Sequence, residues 1–425
     1  MITELLAWMD ERLVGRLKRD RRGKLTFAYA DEWRNAPGAY PLSLSMPLTL
    51  AEHGQAVIDA YVWGLLPDNE LILERWARRF HVSARNAFAL LLHVGEDCAG
   101  AIRFVAPDRV AHLANEPGTI DWLTEQDVVE RLAALREDAS AWRRTTDTGQ
   151  FSLAGAQPKT ALYFDGARWG VPSGRIPTTH ILKPGAPGLD GHAENEHFCL
   201  SLARELGLPV APSRVGRFGN EVAVVLERYD RVRTGQSYRR VHQEDICQAL
   251  GLHPSRKYQN EAGPTPRDIV ALLRGYSDAP DEDVATFVEA LAFNWLVAGT
   301  DAHAKNYSIL LGTGGRVRLA PLYDLASALP YARTQSQKLA LAMSIGGKYR
   351  LRDIGSYQWE KLSAELELDW EPWQERLARM ANALPDLAQM HLRRAHEDGL
   401  SHPVLAALAE AIARRCAKVS FPRAP

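Results

Sequence analysis

The fold is decided by Thr300-Asp301-Ala302-His303-Ala304-Lys305-Asn306 and by the chain that follows it up to Asp324. Two strand-like stretches, 307–311 and 316–320, flank the turn Gly312-Thr313-Gly314-Gly315, and together they predict a β-hairpin. Because the strands of a hairpin are antiparallel, the start of the first lies beside the end of the second. Asn306 and Asp324 are therefore expected at the same open end, next to the loop that carries Asp301.

A helix is predicted immediately before this segment, from Asp283 to Ala298. Its apolar side chains recur at helical spacing and form one face, made of Val284, Phe287, Val288, Leu291 and Trp295. Asp281 is the expected N-cap, and Gly299 is the residue at which the helix is expected to end.

The polar side chains at the open end of the hairpin suit one kind of chemistry. Two carboxylates and a carboxamide offer hard oxygen ligands, which Mg²⁺ prefers in combination with substrate phosphates. In protein kinases a loop Asp accepts the substrate hydroxyl proton, and a later Asn and Asp hold the metal. The five-residue step from Asp301 to Asn306 also matches the kinase catalytic-loop pattern. The simpler alternative is that both residues only cap local backbone; the helix, the hairpin and the returning Asp324 together favour catalysis.

Further upstream, Phe151 to Thr160 contains small residues that would let backbone N–H groups approach phosphate oxygens. The segment fits neither the Walker A pattern nor G-x-G-x-x-G, so taken alone it is more typical of an ordinary turn. Lys183 ends a short strand, as a phosphate-binding kinase lysine does, although most lysines lie at the surface. Glu196 is the candidate to orient that lysine because it faces the same way as the apolar side chains of its helix, whereas Glu194 is expected to point elsewhere.

The chain length of 425 residues predicts two to three domains or lobes. We divide the chain into a small α+β domain at 1–105, a connector at 106–150, a strand-rich lobe with the phosphate loop at 151–236, and a mainly helical lobe with the catalytic loop and metal site at 237–425. The predicted fold class is α+β, with two lobes.

Several individual elements are predicted within these segments. Strands are expected at 25–30, 40–46, 57–66, 160–164, 168–171, 179–183 and 221–227; helices at 70–80, 125–137 and 194–206; and a polar loop at 143–150.

The composition restricts the cellular setting. Lys plus Arg (51) nearly cancel Asp plus Glu (52), so the chain lacks the basic excess of a protein that binds DNA by itself, and any DNA contact is expected from a local patch or a partner. Four dispersed cysteines, without a C-x-x-C pair, favour reduced thiols in the cytoplasm over disulfides or a metal finger. No apolar run approaches the length of a membrane span, so no membrane association is expected.

Successive motifs along the chain resemble those of the HipA toxins. They are Leu42 to Leu48, Gly64 to Asn69, Ser152 to Thr160, Thr179 to Lys183, Glu227 to Asp230, Gln243 to Gln248 and Asp301 to Asn306. The resemblance spans most of the chain, in order. It implies a serine/threonine kinase that uses ATP and Mg²⁺ and has a bilobal protein-kinase-like fold related to lipid kinases.

The resemblance also implies roles for individual residues. Asp301 would be the catalytic base, Asn306 and Asp324 would hold magnesium, and Ser152 would be an inactivating autophosphorylation site. ATP would be bound by Ala154, Gly155, Ala156, Gln157, Pro158, Lys159, Lys183, Glu227, Arg228, Tyr229, His303, Ala304, Lys305 and Asn306.

The family resemblance further implies partners and a biological role. The chain would act as the toxin of a HipBA-type module and would be neutralised by a small HipB-like helix-turn-helix antitoxin. DNA would be contacted mainly through the complex with that antitoxin. The phosphorylated target would be a translation component such as glutamyl-tRNA synthetase, and its modification would arrest growth and cause drug tolerance.

Two positions depart from the family pattern. Ala302 stands where an arginine commonly follows the catalytic aspartate, and Pro158 stands where an acidic residue is frequent. Ala302 leaves open a weakly active ATP-binding subunit that serves as a co-repressor. A small-molecule kinase that uses the same Asp, Asn and Asp is a second alternative, against which the Ser152 loop and the N-terminal domain favour the toxin.

Overall fold

The computed structural model describes residues 2–9, 11–110, 118–141, 151–185, 188–235, 237–332, 338–419 and 421. The predicted polar loop at 143–150 and part of the predicted connector lie outside these residues. The chain divides into two compact units. The strand-rich unit comprises Met1–Pro184, Gly216–Ser255 and Ser308–Arg318, and the helical unit comprises Gly185–Val215, Arg256–Tyr307 and Leu319–Pro425. This division is based on contacts between residues and does not test the four segments predicted from the sequence, which stay a prediction.

The strand-rich unit begins with an antiparallel sheet in the order β4-β3-β2-β1-β5. Its strands are β1 (Glu4–Met9), β2 (Arg12–Arg19), β3 (Leu25–Tyr29), β4 (Glu52–His53) and β5 (Arg103–Val105). The helices of this region are α1 (Asp31–Arg34), α2 (Gln55–Gly64), α3 (Glu70–Phe80) and α4 (Ala87–Val94). The strand predicted at 25–30 and the helix predicted at 70–80 are confirmed.

Two other strands predicted in this region are wrong. Residues 57–66 are not a strand: 57–64 form most of α2, in which Ile58, Tyr61 and Val62 lie at i, i+3 and i+4 and share one buried face. Residues 40–46 are irregular, and their backbone groups bond to side chains from elsewhere in the chain. The N–H of Leu42 donates to the Tyr29 hydroxyl at 2.8 Å, and that hydroxyl donates to the carbonyl oxygen of Met46 at 2.6 Å.

A second sheet has the order β10-β11-β9-β7-β8-β6. Its strands are β6 (Ile120–Trp122), β7 (Thr160–Phe164), β8 (Trp169–Pro172), β9 (His180–Pro184), β10 (Ser213–Phe218) and β11 (Glu221–Glu227). Helix α5 (Glu125–Glu137) begins at a Thr124 capping box and packs Val128 and Leu132 against Leu162, Leu182 and Val225 of this sheet. The predicted strands of this region, the hairpin β7–β8 and the charged helix are confirmed.

The predicted hairpin at the catalytic segment is also confirmed. Strands β15 (Ser308–Gly312) and β16 (Arg316–Leu319) are neighbours in a three-stranded sheet with β14 (His242–Asp245). A separate ribbon pairs β12 (Arg231–Thr234) with β13 (Ser237–Arg240), and α7 (Ile246–Ala249) follows β14.

The helical unit contains six helices among its described residues. They are α6 (His192–Glu205), α8 (Pro266–Tyr276), α9 (Pro280–Val297), α10 (Ser356–Glu365), α11 (Trp370–Glu397) and α12 (Pro403–Cys416). Strands β17 (Ala340–Ile345) and β18 (Lys348–Arg350) pair within the same unit. Short 3₁₀ turns in the chain lie at Pro107–Arg109, Pro254–Arg256, Gln259–Glu261, Ala304–Asn306, Leu329–Tyr331 and Leu351–Asp353. In the part of the chain described, no helix combines the length and apolar character needed to cross a bilayer.

The predicted helix before the catalytic segment is confirmed as α9, with its apolar face buried. Its predicted ends are wrong. The helix begins at Pro280 after Ala279 and has no side-chain cap, because the alanine side chain offers no hydrogen-bond acceptor. Proline suits the first helical position, where the N–H that it lacks has no partner within the helix. It ends at Val297, and Ala298 takes the left-handed conformation (φ 55°) expected of a helix-terminating residue.

Candidate active site

The loop after α9 folds back on itself through Asp301. The carbonyl oxygen of Asp301 accepts the Nδ2–H of Asn306 at 2.8 Å and the N–H of His303 at 2.8 Å. Asn306 lies on the 3₁₀ turn Ala304–Asn306, and its own N–H donates to His303 O at 2.9 Å. The structure thus brings Asp301 and Asn306 together as the spacing predicts, and the bond through Nδ2 leaves the carboxamide oxygen of Asn306 to act as a ligand.

The two residues before Asp324 fix its segment in place, Leu322 through Val210 and Tyr323 through the loop. Leu322 pairs in parallel with Val210: its N–H donates to Pro209 O, and its carbonyl oxygen accepts the N–H of Ala211, both at 2.8 Å. The hydroxyl of Tyr323 then donates to the carbonyl oxygen of Lys305 at 2.8 Å. Because Tyr323 and Lys305 neighbour Asp324 and Asn306, this bond brings the two predicted metal ligands into one region.

Asp324 itself has a left-handed backbone conformation, with φ 55°. Such a conformation costs a non-glycine residue about 1–2 kcal/mol and persists only where the surroundings impose it. The surroundings include Ser327, whose Oγ donates to Val297 O at 2.5 Å and whose N–H donates to Asn195 Oδ1 at 3.0 Å. Asn195 Nδ2 donates back to Ser327 O at 2.8 Å. The strained aspartate is therefore held between anchored neighbours on both sides.

One residue near Asp301 was not predicted from the sequence. The hydroxyl of Tyr258 donates to Asp301 Oδ1 at 2.7 Å, across 43 positions of chain. The Tyr258 ring also packs edge-on against the ring of His303, with centroids 5.0 Å apart. The resemblance motifs do not include Tyr258, and a contact at that chain separation leaves no signal in local spacing.

The phosphate loop lies in the strand-rich unit. Gly155 has φ +99°, a conformation that residues with a Cβ rarely adopt, and Lys159 Nζ donates to Ala154 O at 2.6 Å across the loop. The N–H of Asp68 donates to Gly155 O at 3.4 Å. Gln157 lines a shallow pocket together with Gly155 and Lys159, Ala156 is exposed and Pro158 is buried.

Ser152, at the start of this loop, is fully buried. Its hydroxyl donates to the carbonyl oxygen of Leu65 at 2.6 Å, and its N–H donates to Asp97 O at 3.1 Å. Both acceptors belong to the first 105 residues, so the serine is a hydrogen-bonded contact between the phosphate loop and that part of the chain.

Lys183 and Glu196 are both buried, at 4% and 1% exposure. Lys183 lies on β9 opposite Val224 of β11, in the strand-rich unit, and Glu196 lies on α6 in the helical unit. The expectation that Glu194 points away from the buried face is wrong, because Glu194 is only 6% exposed. The predicted pairing of Lys183 with Glu196 stays a prediction.

The predicted adenine edge follows β11. Glu227 is exposed, whereas Tyr229 is half-buried and its hydroxyl donates to Gln243 Oε1. Burial raises the pKa of Tyr229 far above its ordinary value, so the phenol stays protonated. The Arg228 guanidinium donates to Asp230, to Thr178 Oγ1 and to Cys98 O. The backbone of Arg228 is also engaged, since its N–H donates to Thr179 O at 2.9 Å and its carbonyl oxygen accepts the N–H of Arg231 at 3.1 Å.

Arg228 is part of a buried ion cluster in the strand-rich unit. The cluster consists of Asp97 and Asp230 with Arg228, Arg231 and Arg240. Burial alone would raise the pKa of Asp230, but attraction to Arg228 and Arg231 outweighs burial and holds that pKa at about 2. The pKa of Asp97 is likewise well below its usual range, because attraction to Arg231, Arg240 and Arg228 outweighs the effect of burial.

The donor set around Asp301 fits a kinase-type magnesium ion. Among the described residues, His, Cys, Asp and Glu side chains nowhere gather in groups of three or more that could hold a metal. Kinase magnesium ions do not need such a group, since one or two side chains plus substrate phosphates complete their coordination. Asn306 Oδ1 and the carboxylate of Asp324 provide two such side chains. Ala302 is buried beside Asp301, and its methyl group contributes no charge there.

Comparison with known families identifies two regions of the chain. Residues 5–105 match the HipA N-terminal domain, and residues 151–388 match the HipA-like C-terminal domain. The second region contains Ser152, Lys183, Asp301, Asn306 and Asp324.

Individual relatives align over most of the chain. A putative kinase, Y4mE, of Sinorhizobium fredii is 37% identical over 85% of this chain and 85% of its own. The serine/threonine-protein kinase toxin HipA of Shewanella oneidensis is 30% identical over 89% of this chain and 86% of its own. A solved structure of a HipA, HipB and operator DNA complex from the same species contains a chain that superposes with a TM-score of 0.82 at 26% identity, covering 98% of this chain and 97% of that one. The predicted α+β kinase-like fold class is thereby confirmed.

Proposed function

Because the chain belongs to the HipA family of serine/threonine-protein kinase toxins, we propose that it transfers the γ-phosphoryl group of ATP to a protein hydroxyl, with Asp301 as the base. The observation that carries this proposal is the joined pair Asp301 and Asn306, with Asp324 brought to the same loop by the bond from Tyr323 to Lys305. This bond joins two separate chain segments that together carry three side chains with the chemistry of a kinase site, which supports the proposal.

Each residue of this site has one proposed task. The Asp301 carboxylate accepts the proton of the attacking hydroxyl. Asn306 Oδ1 and the Asp324 carboxylate hold Mg²⁺, which when bound neutralises charge on the β- and γ-phosphates. The geometry that supports this division is the Nδ2 bond of Asn306, which orients its carboxamide oxygen away from the Asp301 backbone.

ATP is proposed to lie along the phosphate loop and the adenine edge. Backbone N–H groups of Ala154 to Gln157 and of Lys159 would bind phosphate oxygens, with Pro158, which has no N–H, as part of the same loop. Lys183 would bind phosphate by charge, and Glu227 to Tyr229 would line the adenine end. His303, Ala304 and Lys305 would line the site beside Asn306. The positive φ of Gly155 supports the loop assignment, because it turns successive N–H groups toward one side.

We propose Ser152 as the site of inactivating autophosphorylation. In the structure its hydroxyl proton is engaged with Leu65 O and the side chain is fully buried. A phosphoserine lacks that donor and brings a dianion next to a carbonyl oxygen, so the buried position becomes unfavourable and the loop must leave it. Ser152→Ala should abolish self-labelling by γ-labelled ATP, and a variant that still carries the label would contradict the assignment.

The proposed partners follow from the similar HipA–HipB–operator complex. A HipB-like helix-turn-helix antitoxin would bind the chain and carry it to DNA, and the target would be a translation component such as an aminoacyl-tRNA synthetase. The chain would act in the cytoplasm, with which its four buried cysteines, all outside disulfides, are compatible. A small helix-turn-helix reading frame is expected next to the gene. Co-expression with its product should yield one complex and relieve growth inhibition; separate elution of the two proteins would contradict the partnership.

The metal assignment is tested by nucleotide binding. Asp324→Ala removes one of two side-chain ligands, so the gain in ATP affinity caused by Mg²⁺ should fall by about tenfold or more, while binding in EDTA stays unchanged. Isothermal titration calorimetry measures both values. Asp353→Ala, at an exposed position of the same unit, is the matched control. An Mg²⁺ effect that survives in the Asp324 variant would rule out Asp324 as a ligand.

A further inference from the structure

The hydrogen bond from Tyr258 to Asp301 is short, although Asp301 is exposed. At 2.7 Å between the phenol oxygen and Oδ1, it has the length of a charge-assisted bond, which is about twice as strong as a bond between neutral groups. It acts directly on the carboxylate that is proposed to accept the substrate proton.

The segment of Tyr258 is fixed to the catalytic loop by two other contacts. The carbonyl oxygen of Lys257 accepts the N–H of Ala304 at 3.2 Å. The Tyr258 ring meets the His303 ring edge-on at 83°, an arrangement that aromatic pairs favour. The phenol is therefore held in place by backbone and ring contacts as well as by its own hydroxyl.

The opposite side of Tyr258 is equally constrained. Its carbonyl oxygen accepts the N–H of Gly263 at 2.9 Å, and a Cβ on Gly263 would approach that oxygen to 2.5 Å, so only glycine fits there. The next residue, Gln259, exchanges two hydrogen bonds with Ser344 of β17: Ser344 N–H to Oε1 at 2.8 Å, and Nε2 to Ser344 Oγ at 2.9 Å. Tyr258 is thus part of a braced turn whose hydroxyl is aimed at Asp301.

We propose that Tyr258 is a positioning residue for phosphoryl transfer. This proposal rests on the role proposed above for Asp301 and deepens it. The Asp301 side chain is exposed, so without a partner its carboxylate would rotate freely. The Tyr258 hydroxyl fixes Oδ1, and Asn306 fixes the backbone carbonyl of the same aspartate. Oδ2 is then presented in one orientation to the hydroxyl of the protein substrate.

In the transfer step, the serine or threonine oxygen of the substrate forms a bond to the γ-phosphorus. The bond from that phosphorus to the β,γ-bridging oxygen breaks, and ADP leaves with the electron pair. The hydroxyl proton passes to Asp301 Oδ2. Tyr258 keeps its own proton and donates to Oδ1 throughout, so it contributes orientation and no chemistry.

The opposite role would be inhibition, with the phenol occupying the place of the substrate hydroxyl until it is displaced. The two roles differ in sign. If Tyr258 positions Asp301, removal of its hydroxyl lowers the rate of transfer; if Tyr258 blocks Asp301, removal raises the rate.

The test compares full-length Tyr258→Phe, Asp301→Asn and the double variant with the unaltered chain. Tyr276→Phe is the control, because Tyr276 is 51% exposed on α8. Label transferred from γ-labelled ATP to the chain itself, in MgCl₂, is followed over a series of ATP concentrations. Calorimetry gives the Kd for ATP, and thermal unfolding reports the fold.

Tyr258→Phe is expected to lower the maximum rate about tenfold, a part of the loss of about 100-fold that misplacing a catalytic group can cause. The half-saturating ATP concentration and the Kd for ATP should change by less than about twofold, and the unfolding midpoint should not change. Tyr276→Phe should match the unaltered chain. In the Asp301→Asn background the same change should have no further effect, since the two residues act as a unit.

Three results would overturn the proposal. They are a rate in Tyr258→Phe equal to or above that of the unaltered chain, a loss explained by weaker ATP binding or a lower unfolding midpoint, and an equal loss in the Asp301→Asn background. Failure of the underlying function is distinguishable: full activity of Asp301→Asn, or no label on the unaltered chain, removes the role of Asp301 and the Tyr258 proposal with it.

Discussion

Asp97 and Asp230 show how much single buried charges contribute to the strand-rich unit. Both are buried and face arginines, so losing one carboxylate leaves three guanidinium groups with a single counter-charge. Breaking a buried pair in this way typically costs about 3–5 kcal/mol, far more than the loss of a surface ion pair.

Asp230→Asn should therefore lower the free energy of unfolding by about 3–5 kcal/mol at pH 7. The pKa of Asp230 is depressed to about 2 from an ordinary value of about 3.9, so its charged form stabilises the fold above about pH 4 and loses that effect as the pH falls toward 2. Urea unfolding from pH 7 to pH 3 should show the difference between variant and unaltered chain shrinking below pH 4. A difference that stays constant would contradict the charge argument.

The pKa of Glu244 is shifted in the opposite direction from that of Asp230. Burial raises its pKa to about 8, although hydrogen bonds from Ser43 and from the Leu44 N–H lower it. The unfolded chain releases the Glu244 proton above about pH 4.3, whereas the folded chain keeps it up to about pH 8. Between these values each rise in pH therefore lowers the free energy of unfolding, by up to ~1.4 kcal/mol per pH unit.

Glu244→Gln keeps an oxygen acceptor for Leu44 and has no charge to bury. Its stability relative to the unaltered chain should rise between about pH 4.5 and 8 and level off above that range. Chemical unfolding at pH 5, 6, 7 and 8 measures the trend, and a flat difference over this interval would show that Glu244 is ionised in the fold.

At the scale of secondary structure, the elements predicted correctly are those whose pattern is locally complete. Helix α9 displays a full apolar face, and the hairpin β15–β16 has its turn residues in place. The strand prediction for α2 is wrong because its β-branched and aromatic residues favour strands locally, whereas burial against other elements stabilises the helix. Residues 40–46 were misassigned because their backbone is satisfied by distant side chains, for example Glu244 Oε1 with the N–H of Leu44.

The link between α6 and the Asp324 segment is testable at this scale. Asn195→Ala removes the two hydrogen bonds with Ser327 and leaves a buried N–H and C=O unpaired, so the free energy of unfolding should fall by about 2–4 kcal/mol. Asn260→Ala, at an exposed position of the same unit, is the control and should stay within about 0.5 kcal/mol. Urea unfolding compares the two, and equal stabilities would show that the Asn195 bonds do not hold the segment.

At the scale of the whole molecule, the family and the fold class could be predicted because motifs recur in order along the chain. The pair Asp301 and Asn306 was predictable because only four loop residues lie between the two. Tyr258 and the cluster around Asp97 were not, since their contacts join residues 43 to 143 positions apart. Nothing in local periodicity constrains such pairs; only the tertiary packing of the chain selects them.

The first 105 residues form hydrogen bonds with the phosphate loop, which the sequence did not indicate. Leu65 O and Asp97 O accept hydrogen bonds from Ser152, and the N–H of Asp68 donates to Gly155 O, so this part of the chain holds the phosphate loop directly. It is therefore a structural partner of the loop and not only an appended domain.

Kinase activity at Asp301 is tested most directly by transfer of label from γ-labelled ATP to the purified chain, with Mg²⁺ or EDTA. The unaltered chain is compared with Asp301→Asn and with the control Asp386→Asn, at an exposed position on α11. We expect label on the unaltered chain and the control only when Mg²⁺ is present, and a loss of at least about 100-fold in Asp301→Asn, the contribution expected of a catalytic base. ATP binding without transfer, or label retained by Asp301→Asn, would contradict that role.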